Sequence, residues 1–273
     1  MVLFKTISYY GSVALCNARL VIQKQIEYPL FLVSYFIINP IGYFVGILFL
    51  YILVSNFQPL AGWTFPQLAF IYGLGDLSHG LMVMFAIQTW NIEGYVTRGE
   101  FDRMLLRPMN VFFQFITNYI NFIGLTDIFT GGIIFAIGCK LVNFQWTLVN
   151  AIEIIVVVIS AAIIRSSIYT IFCSIAFWTN RSRSLVWIIH DSLERTTLYP
   201  LSIYPQIIQT IFTFLIPIGF ISFYPACEFL GQDSRTSLPL GLAIWTPIVA
   251  LIMFLLASVV FNWGLKNYSS AGS

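Results

Sequence analysis

Asp76, His79, Asp127, Arg165, His190, Asp191, Glu194 and Arg195 are out of keeping with their surroundings, because each falls in or beside a run of apolar residues. Asp76 and His79 are three apart and share a helical face, while His190 with Glu194 and Asp191 with Arg195 are four apart and can pair along one helix. A histidine next to an aspartate could serve as a general base pair, yet no nucleophile or metal motif accompanies His190 and Asp191. Carboxylates at membrane depth, such as Asp76, Asp127 and Glu194, could carry a coupling ion. No metal is expected: a zinc site needs three or four donors, the two histidines are far apart in sequence, and Cys16, Cys139, Cys173 and Cys227 form no C-x-x-C pair. The cysteines read as small apolar packers. The plainest role for the polar set is hydrogen bonding between helices.

Composition decides what must position these residues. The chain of 273 residues is 59% hydrophobic and only 9% charged, and a charged fraction so far below the usual ~25% excludes an ordinary soluble domain. Uninterrupted apolar runs long enough to cross ~30 Å of hydrocarbon define an all-α polytopic membrane protein. The net charge is +2 and neither terminus is polybasic, so no nucleic-acid partner is implied. The first thirty residues lack the apolar core of a cleavable signal peptide, so the first span must direct insertion.

Residues 9–27 carry Leu15, Ala18, Ile22 and Ile26 near helical spacing, with Arg19, Gln23, Lys24 and Glu27 between them, and read as an amphipathic helix at the membrane surface. Spans are expected at about 30–54, 66–89, 112–138, 154–178 and 240–264. A cytosolic N-terminus puts Lys5, Arg19, Lys24, Arg98, Arg103, Arg107, Arg181, Arg183 and Lys266 inside, against only Lys140 and Arg235 outside, which satisfies the positive-inside rule. Region 182–230 has two readings. Hydropathy picks 205–227 as the fifth span and leaves 181–204 as a cytoplasmic amphipathic segment; the second reading, which rests on a family resemblance, is a span at 183–202 that puts His190, Asp191, Glu194 and Arg195 within the membrane. The two readings leave the same parity, so charge does not choose between them.

The loop after the second span, "GYVTRGEFDRMLLRPMN" over 94–110, concentrates Arg98, Glu100, Asp102, Arg103 and Arg107 in ten residues. Thr97-x-x-Glu100 has the form of a capping box, Glu100 and Asp102 suit the positive end of a helix dipole, and Pro108 stops the helix at Arg107. The expectation is a cytoplasmic helix over 97–107, charged on one side, with Met104, Leu105 and Leu106 on the other. Such an element can dock into a groove of a soluble partner, or be no more than a solvated turn. The chain has no G-x-x-x-x-G-K-[ST], and "GLG" at Gly73 to Gly75 lies inside a span, where small residues permit close helix packing.

"GEFDRMLLRP" resembles the G-E-L-D-x-x-L-L-R-P element of bacterial type-2 ATP-binding-cassette (ABC) permeases, and "FWTNRS", "YPLSIYPQ" and "IPIGFISFYPACEFLG" resemble further stretches of that family in the same order. The resemblance implies six spans, a half-transporter in the bacterial inner membrane with cytosolic termini, and two copies of a separate cytosolic ATPase that binds ATP and Mg, so no cofactor in this chain. It implies a second permease subunit, similar or identical, and a coupling helix after span two. Thr97, Gly99, Glu100, Asp102, Arg103, Leu106, Arg107 and Pro108 fall on that helix; Phe101 stands where leucine is usual. It places span five at 183–202 and makes 203–230 a re-entrant pair of half-helices broken at Pro217. On that topology Arg165 and Glu194 lie about 20 and 17 Å from the cytoplasmic end and Asp191 about 12 Å, at ~1.5 Å per residue, so Glu194 is the better partner for Arg165. The leading function is the permease subunit of an ABC exporter, not an enzyme. An ion-coupled transporter and a membrane enzyme using His190 and Asp191 are the alternatives.

Overall fold

The computed structural model describes residues 10–13, 15–21, 23, 27, 29–56, 61–232 and 242–269. Twelve helices matter here: α1 (Pro29–Asn56), α2 (Phe65–Ala86), α3 (Ile92–Thr97), α4 (Glu100–Leu105), α5 (Val111–Thr117), α6 (Gly124–Leu141), α7 (Leu148–Cys173), α8 (Ala176–Thr179), α9 (Arg183–Leu198), α10 (Gln206–Thr210), α11 (Phe223–Phe229) and α12 (Leu242–Lys266). No β-strand occurs among the described residues. Among the described residues, five helices are long and apolar enough to cross a membrane, namely Val33–Asn56, Phe65–Thr97, Gly124–Leu141, Leu148–Thr179 and Ile244–Lys266. The chain is therefore an all-α polytopic membrane protein. Residues 10–13, 15–21 and 23 are helical, with Leu15 and Leu20 exposed, and Glu27 is in a turn; the remaining residues of the expected surface helix, and Lys5, Lys24 and Arg235 of the charge count, lie outside the described residues.

The most extensive interface joins α2 to α6, and glycines make it close. A Cβ at Gly73 would sit 2.4 Å from the Phe135 backbone nitrogen, one at Gly80 2.6 Å from that of Ile128, and one at Gly138 2.7 Å from that of Phe70. Gly124 meets the Gly80 carbonyl in the same way, at 2.5 Å. Gly73 and Gly80 on α2, and Gly124, Gly131 and Gly138 on α6, thus recur every seven residues and bring the two helices together, the small-residue packing that drives helix association in lipid. Because the clash is with backbone, no side chain can move aside. Gly80→Val should cost about 3 kcal/mol, the upper end for overpacking, or abolish expression, while Gly42→Ala, which meets nothing within 4 Å, should leave the melting temperature unchanged or slightly raised. Fluorescence-detected thermal stability in detergent reads both.

The third expected span is not one helix. α5 ends at Thr117 and α6 begins at Gly124, with residues 118–123 between them non-helical. Asn121 accounts for the break: its backbone N–H donates to the Met84 carbonyl at 2.8 Å and its side-chain oxygen accepts from the N–H of Ile123 at 3.0 Å. Backbone groups freed at membrane depth must find partners inside the protein, and here they do. At the other end of the bundle, Trp63 is fully buried, donates from Nε1 to the Ser202 hydroxyl at 2.9 Å and packs on Phe223.

Residues 205–227 do not form a single span. α10 runs into one π-helical stretch (Ile211–Leu215), the chain turns at Ile216 and Pro217, and α11 follows a short 3₁₀ turn. The two halves are tied by the hydroxyls of Thr213 and Tyr224 at 2.5 Å. A broken pair of short helices excludes the reading of 205–227 as a continuous fifth span. Instead α9 packs on α7 and α2 through Val186, Ile189, Leu193, Thr196 and Thr197. Its 16 residues reach about 24 Å at ~1.5 Å per residue, short of the hydrocarbon thickness, and it is not among the five apolar spans. Cys139, Cys173 and Cys227 are buried as packers, whereas Cys16 is exposed.

Candidate functional site

Arg165 is the centre from which the polar cluster is built. It projects from the middle of α7 and is fully buried. Its guanidinium donates to the Thr197 hydroxyl at 2.7 Å, to the Ser78 hydroxyl at 3.1 Å, to the Gly75 carbonyl at 3.4 Å and to Glu194 Oε1 at 3.4 Å. One side chain therefore ties α7 to α2 and α9, and the expected Arg165–Glu194 pair is present. A buried guanidinium is tolerable only when its donors are matched by acceptors in this way.

From Glu194 the cluster extends to both histidines. Glu194 Oε1 lies 4.0 Å from His79 Nε2, and His79 Nδ1 lies 3.3 Å from Asp127 Oδ2 and 3.3 Å from the Tyr43 hydroxyl. His190 Nδ1 is 3.3 Å from the Tyr169 hydroxyl. The two imidazoles, far apart in sequence, have ring centroids 5.8 Å apart, with Trp90 packed against both. This corrects the expectation that the histidines are too distant to act together: packing of α9 on α2 brings them side by side. Asn39 of α1 donates to Asp127 and to the Thr126 hydroxyl, the latter at 2.9 Å. Asn39, His79, Asp127, His190 and Glu194 line a cavity of about 500 Å³ whose walls include Tyr35, Tyr43, Tyr72 and Trp90.

Asp76 is fully buried on α2, and neither of its carboxylate oxygens has a hydrogen-bond partner among the described residues. Asp191 and Arg195 do not join the cluster. They pair with each other at 2.8 Å on the outer side of α9, where both side chains are about two-thirds exposed (64% and 66%). Sequence reasoning missed Asn39, Tyr43, Ser78, Tyr169 and Thr197. The available signal was a polar residue inside an apolar span, which has few partners other than another such residue.

The charged loop folds differently from its capping pattern. Thr97 closes α3, its hydroxyl donating back to the Glu93 carbonyl at 2.9 Å, and Gly99 is the N-cap of α4 with φ of 66°. Only glycine adopts that conformation without cost, so the helix begins at Glu100 and ends at Leu105 instead of spanning 97–107. The Glu100 carboxylate is taken by Arg98 Nε at 2.5 Å, and Asp102 Oδ1 accepts from the Tyr268 hydroxyl at 2.9 Å. The apolar side also divides. Phe101 and Met104 turn inward, Phe101 into a ring cluster with Tyr95, Phe115, Phe177, Phe261 and Tyr268, while Leu105 and Leu106 face out, Leu106 at 87% exposure. Gln114 holds the element from below, donating to the carbonyls of Met104 and Met109, both at 3.0 Å. Arg98, Arg103, Arg107 and Pro108 are exposed around Leu105 and Leu106.

This element is joined to the polar cluster through Glu93. Its Oε2 accepts from the backbone N–H groups of Ser182 and Arg183 at 2.5 and 2.6 Å, and so caps the N-terminus of α9, the helix that carries His190 and Glu194. A carboxylate at the end of a span ordinarily reads as an interfacial charge, which is why the sequence did not single it out. Three chain regions meet the same end: Asp102 bonds Tyr268 after α12, Asn110 N–H donates to the Tyr10 hydroxyl at 3.0 Å, and Glu93 holds residues 182–183.

A helical multi-pass membrane protein with a buried polar cluster and a polar-lined cavity is the class that fold and site define. Residues 40–272 match the family model described as "ABC-2 family transporter protein", and the chain belongs to that family. It is a transport permease subunit, of a kind that normally partners with a cytosolic ATPase. No curated protein and no solved structure gives a significant match to it.

Proposed function

We propose that this chain is one permease half of an ABC exporter, driven by a separate cytosolic ATPase that docks on residues 97–108. The observation that carries the reading is the exposed set Arg103, Leu105, Leu106, Arg107 and Pro108, displayed on an element whose inner side is anchored by Phe101 and Met104. Leu105 and Leu106 present exposed apolar surface that a soluble partner can cover, and the neighbouring Arg103 and Arg107 are of a residue type enriched at interfaces. Motion of the docked ATPase passes through α3 and Glu93 to the start of α9, and along α9 to Glu194 and the cavity. The ATPase binds ATP and Mg; this chain contributes the path.

Two permease subunits, similar or identical, and two ATPases complete the transporter, since one bundle of this size does not enclose a path for a sizeable solute. The Asp191–Arg195 pair supports the second permease. On the outer face of α9, beside the exposed Trp187 and Ile188, an ion pair is costly against lipid and better placed against protein. The transporter sits in the bacterial inner membrane with both termini cytosolic.

The test is reconstitution in proteoliposomes with the ATPase. Vanadate-sensitive ATP hydrolysis that requires both proteins is expected, with solute movement that survives ionophores. Movement that needs an ion gradient and no ATP would overturn the reading.

A further inference from the structure

We propose that His79, His190 and Glu194 form a binding site for one divalent transition-metal ion of the zinc class, facing the cavity. Each offers one ligand atom, and the three atoms lie within 4.8 Å of one another. A tetrahedral ion with bonds of ~2.0–2.1 Å holds its donors roughly 3.3 Å apart, so rotations of about an ångström close the set. Two imidazoles and one carboxylate leave a fourth position open, the pattern of ligand-accepting zinc sites.

The second line of evidence is His79 Nε2. His79 is 6% exposed, and this nitrogen is buried without a hydrogen-bond partner among the described residues, 4.0 Å from Glu194 Oε1. A buried polar nitrogen left unpaired is expensive, and an ion between it and Glu194 removes that cost. The outer shell is also in place. The Nδ1 of His79 is engaged by Asp127 and Tyr43, and that of His190 by Tyr169, each at 3.3 Å. Engagement of Nδ1 orients each ring and leaves Nε2 as the nitrogen available for an ion, the carboxylate–histidine–metal arrangement that tunes such sites. The charges agree: Asp76, Asp127 and Glu194 bring three carboxyl groups to a region where, among the described residues, Arg165 supplies the buried guanidinium. Arg165 donates to Glu194 from the α7 side, as a neighbour to a coordinating carboxylate does. Since His79 stands on α2 and the other two donors on α9, the ion would pin those helices together.

Full-length protein, purified without a histidine tag and stripped with chelator, should bind one equivalent of Co²⁺ with visible d–d absorption. Zn²⁺ should displace it and raise the melting temperature. His79→Gln and His190→Gln should each weaken Co²⁺ binding at least tenfold and remove the Zn²⁺ thermal shift. Asp127→Asn, which leaves all three donors in place, should weaken it about 10–100-fold and serves if either histidine variant fails to fold. Absence of the Co²⁺ spectrum in the wild-type protein, or binding unchanged in folded variants, would overturn the proposal. None of these readouts depends on transport.

Discussion

Replacing Leu106 and Arg107 together with glutamate should abolish co-purification of the ATPase and return its turnover to the unstimulated level. Leu106 is 87% exposed and Arg107 lies beside it at the exposed end of α4, so neither supports the fold. Exposed groups that anchor an interface cost about 2 kcal/mol or more each on truncation, roughly thirty-fold in affinity, and charge reversal adds repulsion. Melting temperature and membrane yield should match wild type. Glu100 and Asp102 are poorer places to make this test. Their carboxylates are held by Arg98 and Tyr268, so lysine there would loosen the element itself and confuse docking with folding. If the L106E/R107E protein still co-purifies with the ATPase and stimulates it, the docking surface lies elsewhere.

The second large effect concerns Arg165. Arg165→Glu removes the donor to the Ser78 and Thr197 hydroxyls, leaves one donor fewer at the Gly75 carbonyl, which keeps the Ser78 hydroxyl at 2.6 Å, and sets a carboxylate against Glu194. Breaking a buried charge pair from one side costs about 3–5 kcal/mol, and like charges at this depth add to it, so well-folded protein should be lost. Arg165→Glu combined with Glu194→Arg should recover part of the folded yield, measured as the monodisperse fraction in size-exclusion chromatography. Recovery is partial because a glutamate on α7 cannot donate to the Gly75 carbonyl. A double variant no better than Arg165→Glu would show that the hydrogen bonds, and not the ion pair, carry the role of Arg165.

The residues of this chain by themselves determined its class. A low charged fraction with long apolar runs leaves the backbone no stable state in lipid but the helix, so α1, α2 and α12 were legible within a few residues, while α7 begins and ends earlier than the expected 154–178. Arg165 opposite Glu194 was legible only once the family resemblance had placed a helix at 183–202, because depth along a helix is then linear in residue number and a buried cation must find an anion. The glycines of α2 announced close packing for a similarly local reason.

Other features depended on contacts between distant segments, and only the tertiary structure decided them. Thr97 and Glu100 have capping-box spacing, but Gly99 permits a left-handed turn and Arg98 takes the Glu100 carboxylate, so the helix starts later than the pattern says. Span three looks continuous in hydropathy, yet Asn121 finds the Met84 carbonyl across the bundle and the helix breaks. Phe101 reads as a mild substitution and proves to be the buried anchor of the charged loop. His79 and His190 stand on helices that nothing local brings together. Side-chain partners across helices are set by the rotation and crossing of those helices, and these follow from the whole set of packed surfaces, not from spacing along one strand of sequence.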